Sequence, residues 1–244
     1  MDNLLYLSMT GAKETMLAQA SHANNLANAR TTGFKADLAQ ARAMQVLGPG
    51  HESRVYAMTE RPATDQTAGA LNHTGRDLDV AVQGQGWLAV QSPDGTEAYT
   101  RAGELQISAT GQLLTGSGLP LLGDGGPIEL PPAANIDIGQ DGTISVLTLE
   151  GELAVAGRIK LVNPDPQGLV KGADGLMRTK AGEEAPLDPE VQLESGYLET
   201  SNVNAVNELT SMLDLARRFE MNIKMMQNAQ ENSEASARIL QNLG

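Results

Sequence analysis

The two ends of this 244-residue chain are almost free of helix-breaking residues, whereas its middle is rich in them. Residues 1–32 contain one glycine and no proline, and residues 198–243 contain neither. Nearly all of the 26 glycines and all 11 prolines lie between these two segments. Because glycine and proline mark turns and interrupt helices, the distribution predicts two helical ends around a turn-rich middle.

The N-terminal segment carries apolar side chains at alternating spacings of three and four residues, the spacing of a coiled-coil seam. This pattern predicts a helix over residues 3–28, which ends before Thr31-Thr32-Gly33 because β-branched residues and a glycine oppose its continuation. Gln19 interrupts the stripe. Its apolar positions are Leu5, Met9, Ala12, Met16, Ala23 and Leu26.

The C-terminal segment repeats this spacing. Asn204 is a residue type that caps helices, and it predicts a helix that runs to about residue 242. The apolar positions are Leu209, Met212, Ala216, Phe219, Ile223, Met226 and Leu240. A helix of about 57 Å is longer than a globule of this size needs, so we expect part of this stripe to meet other molecules.

The middle of the chain has β character. Leu78, Val80 and Val82 alternate with polar or small residues, which predicts a half-buried strand. Pro93-Asp94-Gly95 predicts a turn, because proline presets φ and glycine accepts a positive φ. Similar turn signals recur every 8–12 residues or so and favour an antiparallel, barrel-like or sandwich-like unit.

These observations predict an α+β fold of two domains. Long N- and C-terminal helices, in residues 1–35 and 198–244, are expected to form a coiled-coil-like assembly domain. They flank a central, mainly antiparallel β-domain of residues 36–197. Two apolar stripes at opposite ends of one chain must be buried, and neighbouring copies of the chain are one place to bury them.

Charge and composition exclude several classes of function. The formal charge of −13 opposes binding to nucleic acid and to anionic lipid surfaces. The absence of cysteine excludes disulfides and thiolate chemistry. No segment approaches the roughly 20 apolar residues of a membrane-spanning helix. The N-terminus also lacks the pattern of a cleavable signal peptide, so we expect no direct membrane insertion.

The sequence gives only weak signals for catalysis or metal binding. His22, His51 and His73 show no metal-ligand spacing. Asp77 and Asp79 would share one face of a strand and could pair as acid and base, but we interpret them as ordinary surface or interface carboxylates. We therefore expect no catalytic residue, no metal site and no cofactor.

Three segments in order resemble the rod, hook and hook-associated proteins of bacterial flagella. The first contains Asn24, Asn25, Leu26, Ala27 and Asn28, followed by Thr32, Gly33 and Phe34. The second comprises Thr74–Val82, Gly84–Trp87 and Tyr99–Gly103. The third comprises Gly196–Asn204 and Arg218–Glu220. Trp87-Leu88 departs from the pair of phenylalanines that is common in the family, but it preserves the apolar character.

Within this family, Met9-Thr10-Gly11-Ala12-Lys13 resembles the proximal-rod type, and the distal-rod type is the alternative. The resemblance implies a structural subunit that assembles with itself, with other proximal rod proteins and with the distal rod protein. It also implies export by the flagellar type III apparatus without a cleaved signal, and a place in the basal-body rod that crosses the periplasm and transmits torque. Two alternatives of other classes are a soluble β-rich hydrolase with helical arms and a cytoplasmic coiled-coil adaptor.

Overall fold

The structure, a computed structural model, describes residues 4–45, 55–148 and 151–242. The described residues form a long helix at each end of the chain and a mainly antiparallel β region between them, which confirms the coarse α+β prediction. Neither helix is long and apolar enough to cross a membrane.

The helices are α1 (Leu4–Ala27) and α2 (Ala205–Asn242). The strands are β1 (Asp37–Gln45), β2 (Val55–Thr64), β3 (Leu71–His73), β4 (Val80–Gln83), β5 (Trp87–Gln91), β6 (Glu97–Thr100), β7 (Leu105–Ile107), β8 (Leu113–Thr115), β9 (Leu122–Gly123), β10 (Gly126–Pro127), β11 (Ala133–Ile138), β12 (Thr143–Thr148), β13 (Leu153–Arg158), β14 (Leu161–Val162), β15 (Leu169–Lys171), β16 (Met177–Thr179), β17 (Gln192–Ser195) and β18 (Tyr197–Glu199).

The chain divides into two compact units, each made of separate stretches. The helical unit consists of Met1–Ala27, Asp37–Ala63 and Asn204–Gly244. The β unit consists of Asn28–Ala36 and Thr64–Val203. The structure thus groups the β1–β2 pair with the helices. The predicted division into residues 1–35 with 198–244 and residues 36–197 remains a prediction.

Local signals place the ends of both helices. The side-chain oxygen of Asn204 accepts hydrogen bonds from the backbone N–H groups of Val206 (3.1 Å) and Asn207 (3.2 Å). These are donors that a helix start leaves unpaired, so Asn204 is the predicted N-cap. Beyond α1, Gly33 adopts a φ of +67°, a left-handed conformation that glycine accepts at little cost.

The β unit is organised around a five-stranded antiparallel sheet in the order β14-β5-β6-β16-β15. Alternate residues of β5 enter two different apolar clusters. Leu88 and Val90 join the larger cluster, and Trp87 and Ala89 join the smaller one with Tyr99. The sheet is therefore covered on both faces, which explains why β5 is a continuous apolar run and not an alternating one.

The turns follow their sequence signals. Gly95 has a φ of +84° in the predicted Pro93-Asp94-Gly95 turn, and the carboxylate of Asp94 accepts a hydrogen bond from the N–H of Thr96 (3.1 Å). A second sheet joins β11, β12 and β13, and the remaining described strands of the β unit form small two-stranded sheets.

The prediction of a half-buried strand around Val80 is wrong, because both of its faces are covered. Asp79 and Ala81 are only 4% and 1% exposed. The segment that follows β6 lies directly on this strand: Val80 donates its N–H to the carbonyl of Gly103 (2.9 Å), and a Cβ on Gly103 would lie 1.7 Å from the Val80 oxygen. Only a glycine allows the two backbones to approach so closely.

Candidate assembly site

The two helices of the helical unit pack against each other in an antiparallel arrangement. Gly11 lies against the side chain of Asn222, and His22, a few turns later in α1, meets Glu208 near the start of α2. A Cβ on Gly11 would lie 3.2 Å from the Asn222 amide oxygen, so the glycine lets the helices come close. The last buried residue described on α2 is Ala229, and residues 230–235 beyond it are all exposed.

The fully buried residues of the helix pair are small or polar, whereas larger apolar residues such as Phe219 and Ile223 are partly buried. On α1 the buried residues are Ser8, Ala12, Thr15 and Asn25. The Ser8 hydroxyl has no hydrogen-bond partner among the described residues. Small side chains bury little apolar area, and a buried unpaired hydroxyl costs free energy. The fully buried residues therefore contribute little apolar stabilisation to the helix pair.

Many large apolar side chains of the two helices are exposed. We call this set the outer helix face. Its members, between 37% and 72% exposed, are Leu5, Tyr6, Met9, Met16, Leu17, Val206, Leu209, Leu213, Met221 and Met225. Single exposed apolar residues are common, but large exposed apolar patches on monomeric soluble proteins often mark surfaces that bind other molecules.

The predicted interface residues divide between the two faces. Leu5, Met9, Met16 and Leu209 belong to the outer helix face, and Ala12 is buried. The partly buried members are Ala23, Leu26, Met212, Ala216, Phe219, Ile223 and Met226. The side chain of Leu240 lies outside the described residues. Sequence reasoning missed Tyr6, Leu17, Val206, Leu213, Met221 and Met225, because a single stripe was traced along each helix.

A polar cluster fastens the helix pair to strand β1. The amide of Asn25, which is 1% exposed, donates to the carbonyl of Asp37 and accepts from its N–H, both at 2.9 Å. The carboxylate of Glu208 lies 2.5 Å from the Nδ1 atom of His22 and 3.5 Å from the amide nitrogen of Asn25. Asn25 of the signature thus holds the backbone of Asp37, 12 residues away in the chain, through two hydrogen bonds.

The rest of the first signature lies in other surroundings. Asn24 is exposed and Ala27 ends α1. In the β unit, the side chain of Asn28 accepts a hydrogen bond from the hydroxyl of Thr31 (3.1 Å), and Thr32 is partly buried. The ring of Phe34 lies 3.8 Å from the ammonium nitrogen of Lys171, a cation–π contact.

Parts of all three signature segments meet inside the β unit, at what we call the signature junction: Gly33, Lys35, Arg101, Glu199 and Asn202. The Glu199 carboxylate accepts hydrogen bonds from the ammonium group of Lys35 (2.6 Å), the guanidinium of Arg101 (2.9 Å) and the N–H of Gly69 (2.8 Å). All three charged side chains are at most 4% exposed. These residues lie 98 and 164 positions apart in the chain, so their meeting depends on the tertiary fold.

Burial and hydrogen bonding act against each other on these groups. Burial raises the pKa of Glu199, but hydrogen bonds from Lys35, Gly69 and Arg101 outweigh it, so the pKa lies below its ordinary value. Burial also lowers the pKa of Lys35, and the hydrogen bond and charge of Glu199 only partly offset it. The carboxylate is thus held ionised as the counter-ion of two buried cations.

Backbone contacts complete the junction. Gly33 donates its N–H to the carbonyl of Glu199 (2.8 Å). The side chain of Asn202 accepts from the N–H of Ala36 (2.8 Å) and donates to the carbonyl of Asp65 (2.9 Å). The segments around residues 34, 66 and 201 are therefore held side by side, and each leads to a point where the chain passes into the helical unit.

The candidate acid–base pair does not form. Asp77 is exposed in a turn before β4. Asp79 is buried, and its carboxylate lies 3.4 Å from the guanidinium of Arg76. The interpretation of both residues as surface carboxylates on one strand face is therefore wrong for Asp79, because the chain after β6 covers it.

The histidines do not come together either. His22 contacts Glu208, and His73 packs edge-on against the ring of Tyr197 with centroids 4.9 Å apart. His51 lies outside the described residues. Within the part of the chain that the structure describes, no cluster of His, Asp and Glu side chains could hold a metal ion.

Comparison with known proteins fits this picture of a chain held together by structural contacts. Residues 81–146 match the family described as "Flagellar hook protein FlgE/F/G D1 domain". Residues 194–239 match "Flagellar basal body rod FlgEFG protein C-terminal". The first region contains Arg101, and the second contains Glu199 and most of α2.

Full-length relatives are also found. The chain is 42% identical to the flagellar basal-body rod protein FlgF of Escherichia coli, over 98% of this chain and 99% of the relative. It is 35% identical to FlgF of Caulobacter vibrioides, over 97% of both chains. It is 33% identical to the rod protein FlgG of Bacillus subtilis, over 93% of this chain and 95% of the relative.

These relatives define the class first: the chain is a structural subunit and not an enzyme, which rules out the hydrolase hypothesis. More particularly, the chain belongs to the family of flagellar basal-body rod proteins. Basal-body rod proteins are part of the flagellum basal body.

Proposed function

We propose that this rod subunit assembles with copies of itself and with other rod proteins through the outer helix face, in coiled-coil-like contacts between α1 and α2 of neighbouring subunits. The observation that carries the proposal is how the two helices distribute their side chains. Their fully buried residues are small or polar, and many of their large apolar side chains are exposed. The predicted seam residues Leu5, Met9, Met16 and Leu209 lie on this face.

The energetics favour contacts that only an assembly can make. Burying a Leu or Met side chain contributes about 1.5–3 kcal/mol. Met16 and Leu213 are 58% and 57% exposed in the single chain, so more than half of that contribution remains to be gained. Several such residues on several neighbours can offset an association cost of about 4–15 kcal/mol. Repeated head-to-tail contacts between different surfaces give a helical assembly when the rotation between neighbours does not close into a ring.

Relative similarity supports a proximal-rod position over a distal one. The identity is 31–42% to the FlgF relatives and 31–33% to the FlgG relatives, with the highest value for FlgF of Escherichia coli. We extend the proposal to export by the flagellar type III apparatus without cleavage, to a rod that spans the periplasm, and to torque transmission. The exposed apolar side chains of α1 and α2 support export, because helices whose apolar side chains lack partners are only marginally stable.

The test is a pair of matched variants in cells that lack the gene. Leu213→Asp places a charge on the outer helix face, where the side chain makes little contact within its own chain. Leu153→Asp makes the same substitution at an 80% exposed position of β13, in the β unit, which holds no member of the outer helix face. Rod completion is scored by electron microscopy of isolated basal bodies, and motility is scored in soft agar.

We expect Leu213→Asp to abolish rod completion and Leu153→Asp to leave it intact, while both purified chains show the same circular dichroism. A Leu213→Asp chain that completes the rod would refute the assembly surface. If the unsubstituted gene restores neither rod nor motility, the proposed position in the rod is wrong. Recovery from basal bodies of a chain that has lost its N-terminus would refute uncleaved export.

A further inference from the structure

The signature junction depends on one anion for two buried cations. Lys35 and Arg101 have neutral second partners, the carbonyl oxygens of Thr67 (2.7 Å) and Gly84 (2.8 Å). Glu199 supplies the carboxylate that lies within ion-pair distance of both cations among the described residues. The three side chains are 2%, 4% and 1% exposed, so water cannot replace this carboxylate while the β unit is closed.

Lys35 and Arg101 differ in how they respond when their counter-ion is missing. A lysine without its counter-ion can lose a proton, and burial already lowers the pKa of Lys35. An arginine stays protonated in proteins. Arg101 must therefore remain a charge, and burying it without Glu199 is strongly unfavourable.

The order of these residues along the chain makes this dependence directional. Lys35 precedes every strand of the β unit and Arg101 comes directly after β6, whereas Glu199 follows nearly all of the β unit. It belongs to β18, which pairs with β3, and its neighbour Thr200 donates its N–H to the carbonyl of Ala70 (2.8 Å). A chain that emerges with its N-terminus first therefore exposes Lys35 and Arg101 before the segment 196–202, which carries the Glu199 carboxylate.

We propose that the signature junction makes closure of the β unit conditional on docking of residues 196–202, so that this segment and the core strands β5 and β6 open and close as one cooperative unit. In a chain whose segment 196–202 has not yet emerged and docked, the β unit stays open. The device is independent of the proposed assembly surface, because it acts within one β unit.

Native-state hydrogen exchange on the purified full-length chain tests the proposal directly. The amide of Thr200 reports on the docked segment. The amide of Ala89, bonded to the carbonyl of Lys160 (3.1 Å) and fully buried, reports on the core. We expect both to exchange through one opening, with equal protection within about threefold and the same dependence on denaturant. Exchange of Thr200 through a smaller opening that leaves Ala89 protected would overturn the proposal.

Variants separate charge pairing from ordinary packing. Glu199→Gln keeps an acceptor of the same shape but removes the charge, and it should lower the protection of Thr200 and Ala89 together by roughly a hundredfold or more. The combined change Lys35→Met, Arg101→Met and Glu199→Met removes all three charges. It should uncouple the two sites, so that Thr200 loses at least about tenfold more protection than Ala89.

A matched control is the exposed ion pair of Asp174 with Arg178, whose atoms lie 2.7 Å apart. Asp174→Asn should change neither amide by more than about threefold, because exposed pairs contribute little. Unchanged protection in Glu199→Gln, or continued coupling in the chain without the three charges, would overturn the proposal. If Glu199→Gln does not fold, the exchange of the unsubstituted chain still decides the matter.

Discussion

Gly33→Ala is expected to destabilise the β unit far more than its small size suggests. Gly33 has a φ of +67°, a conformation that costs an ordinary residue about 1–2 kcal/mol. An added Cβ would lie 2.2 Å from the backbone carbon of Arg101 and 2.4 Å from its oxygen. No rotamer change can relieve a contact with backbone, so the segment carrying Lys35 must shift away from Glu199.

The total cost is the sum of two parts. Loosening a buried ion pair costs about 3–5 kcal/mol when one partner is lost, so partial loss adds about 2 kcal/mol or more to the conformational cost. Gly33→Ala should therefore lower the free energy of unfolding by about 3 kcal/mol or more. That is a large share of the about 5–15 kcal/mol that stabilises a typical domain.

Gly95→Ala is the matched control, because Gly95 has a similar φ of +84° and nothing lies within 4 Å of its added Cβ. It should cost only the conformational part, about 1–2 kcal/mol. Urea unfolding followed by the fluorescence of the single tryptophan, Trp87, measures both variants. Equal losses in the two variants would refute the close packing of Gly33 on Arg101.

Three further outcomes are expected. Stability should fall as pH drops below 4.5, the ordinary pKa of a glutamate, because the folded chain holds Glu199 ionised at a lower pKa and the unfolded chain takes up the proton first; acid titration of unfolding should show this slope reduced in Glu199→Gln. Asn25→Asp should loosen β1 from α1 by about 2 kcal/mol or more, since a carboxylate oxygen would face the carbonyl of Asp37 in a buried site, and Asn25→Ser should cost less in the same thermal melts. Phe219→Asp should lower the helical circular dichroism of the purified chain itself, since this side chain is partly buried; a normal spectrum would show that it makes no contact within its own chain that matters.

Local features were predictable because they depend on neighbours in sequence. The helix predicted over residues 3–28 is Leu4–Ala27, and the helix predicted from Asn204 to about residue 242 is Ala205–Asn242. The absence of glycine and proline, the capping side chain and the apolar period act within one or two turns. The Pro93-Asp94-Gly95 turn was predictable for the same reason, since its glycine needs only its own φ.

Tertiary structure decided which side of each helix is buried. A three-four spacing reveals a period but not the partner, so the pattern could not show that Ala12 is buried while Met16, four residues later, is exposed. Gly11 lies close to Asn222, where a small residue lets the helices approach each other. Many of the larger apolar side chains are left exposed, where other subunits can cover them.

The signature junction shows the same limit more sharply. The signature residues were visible as three resemblances, but nothing in their order showed that Lys35, Arg101 and Glu199 share one buried site. Asp79 was likewise expected at the surface and is buried, because a segment from beyond β6 covers it. Sequence alone determined where this chain is helical, where it turns and which family it resembles. The fold decided which charges are taken out of water, because that depends on contacts between residues as many as 164 positions apart.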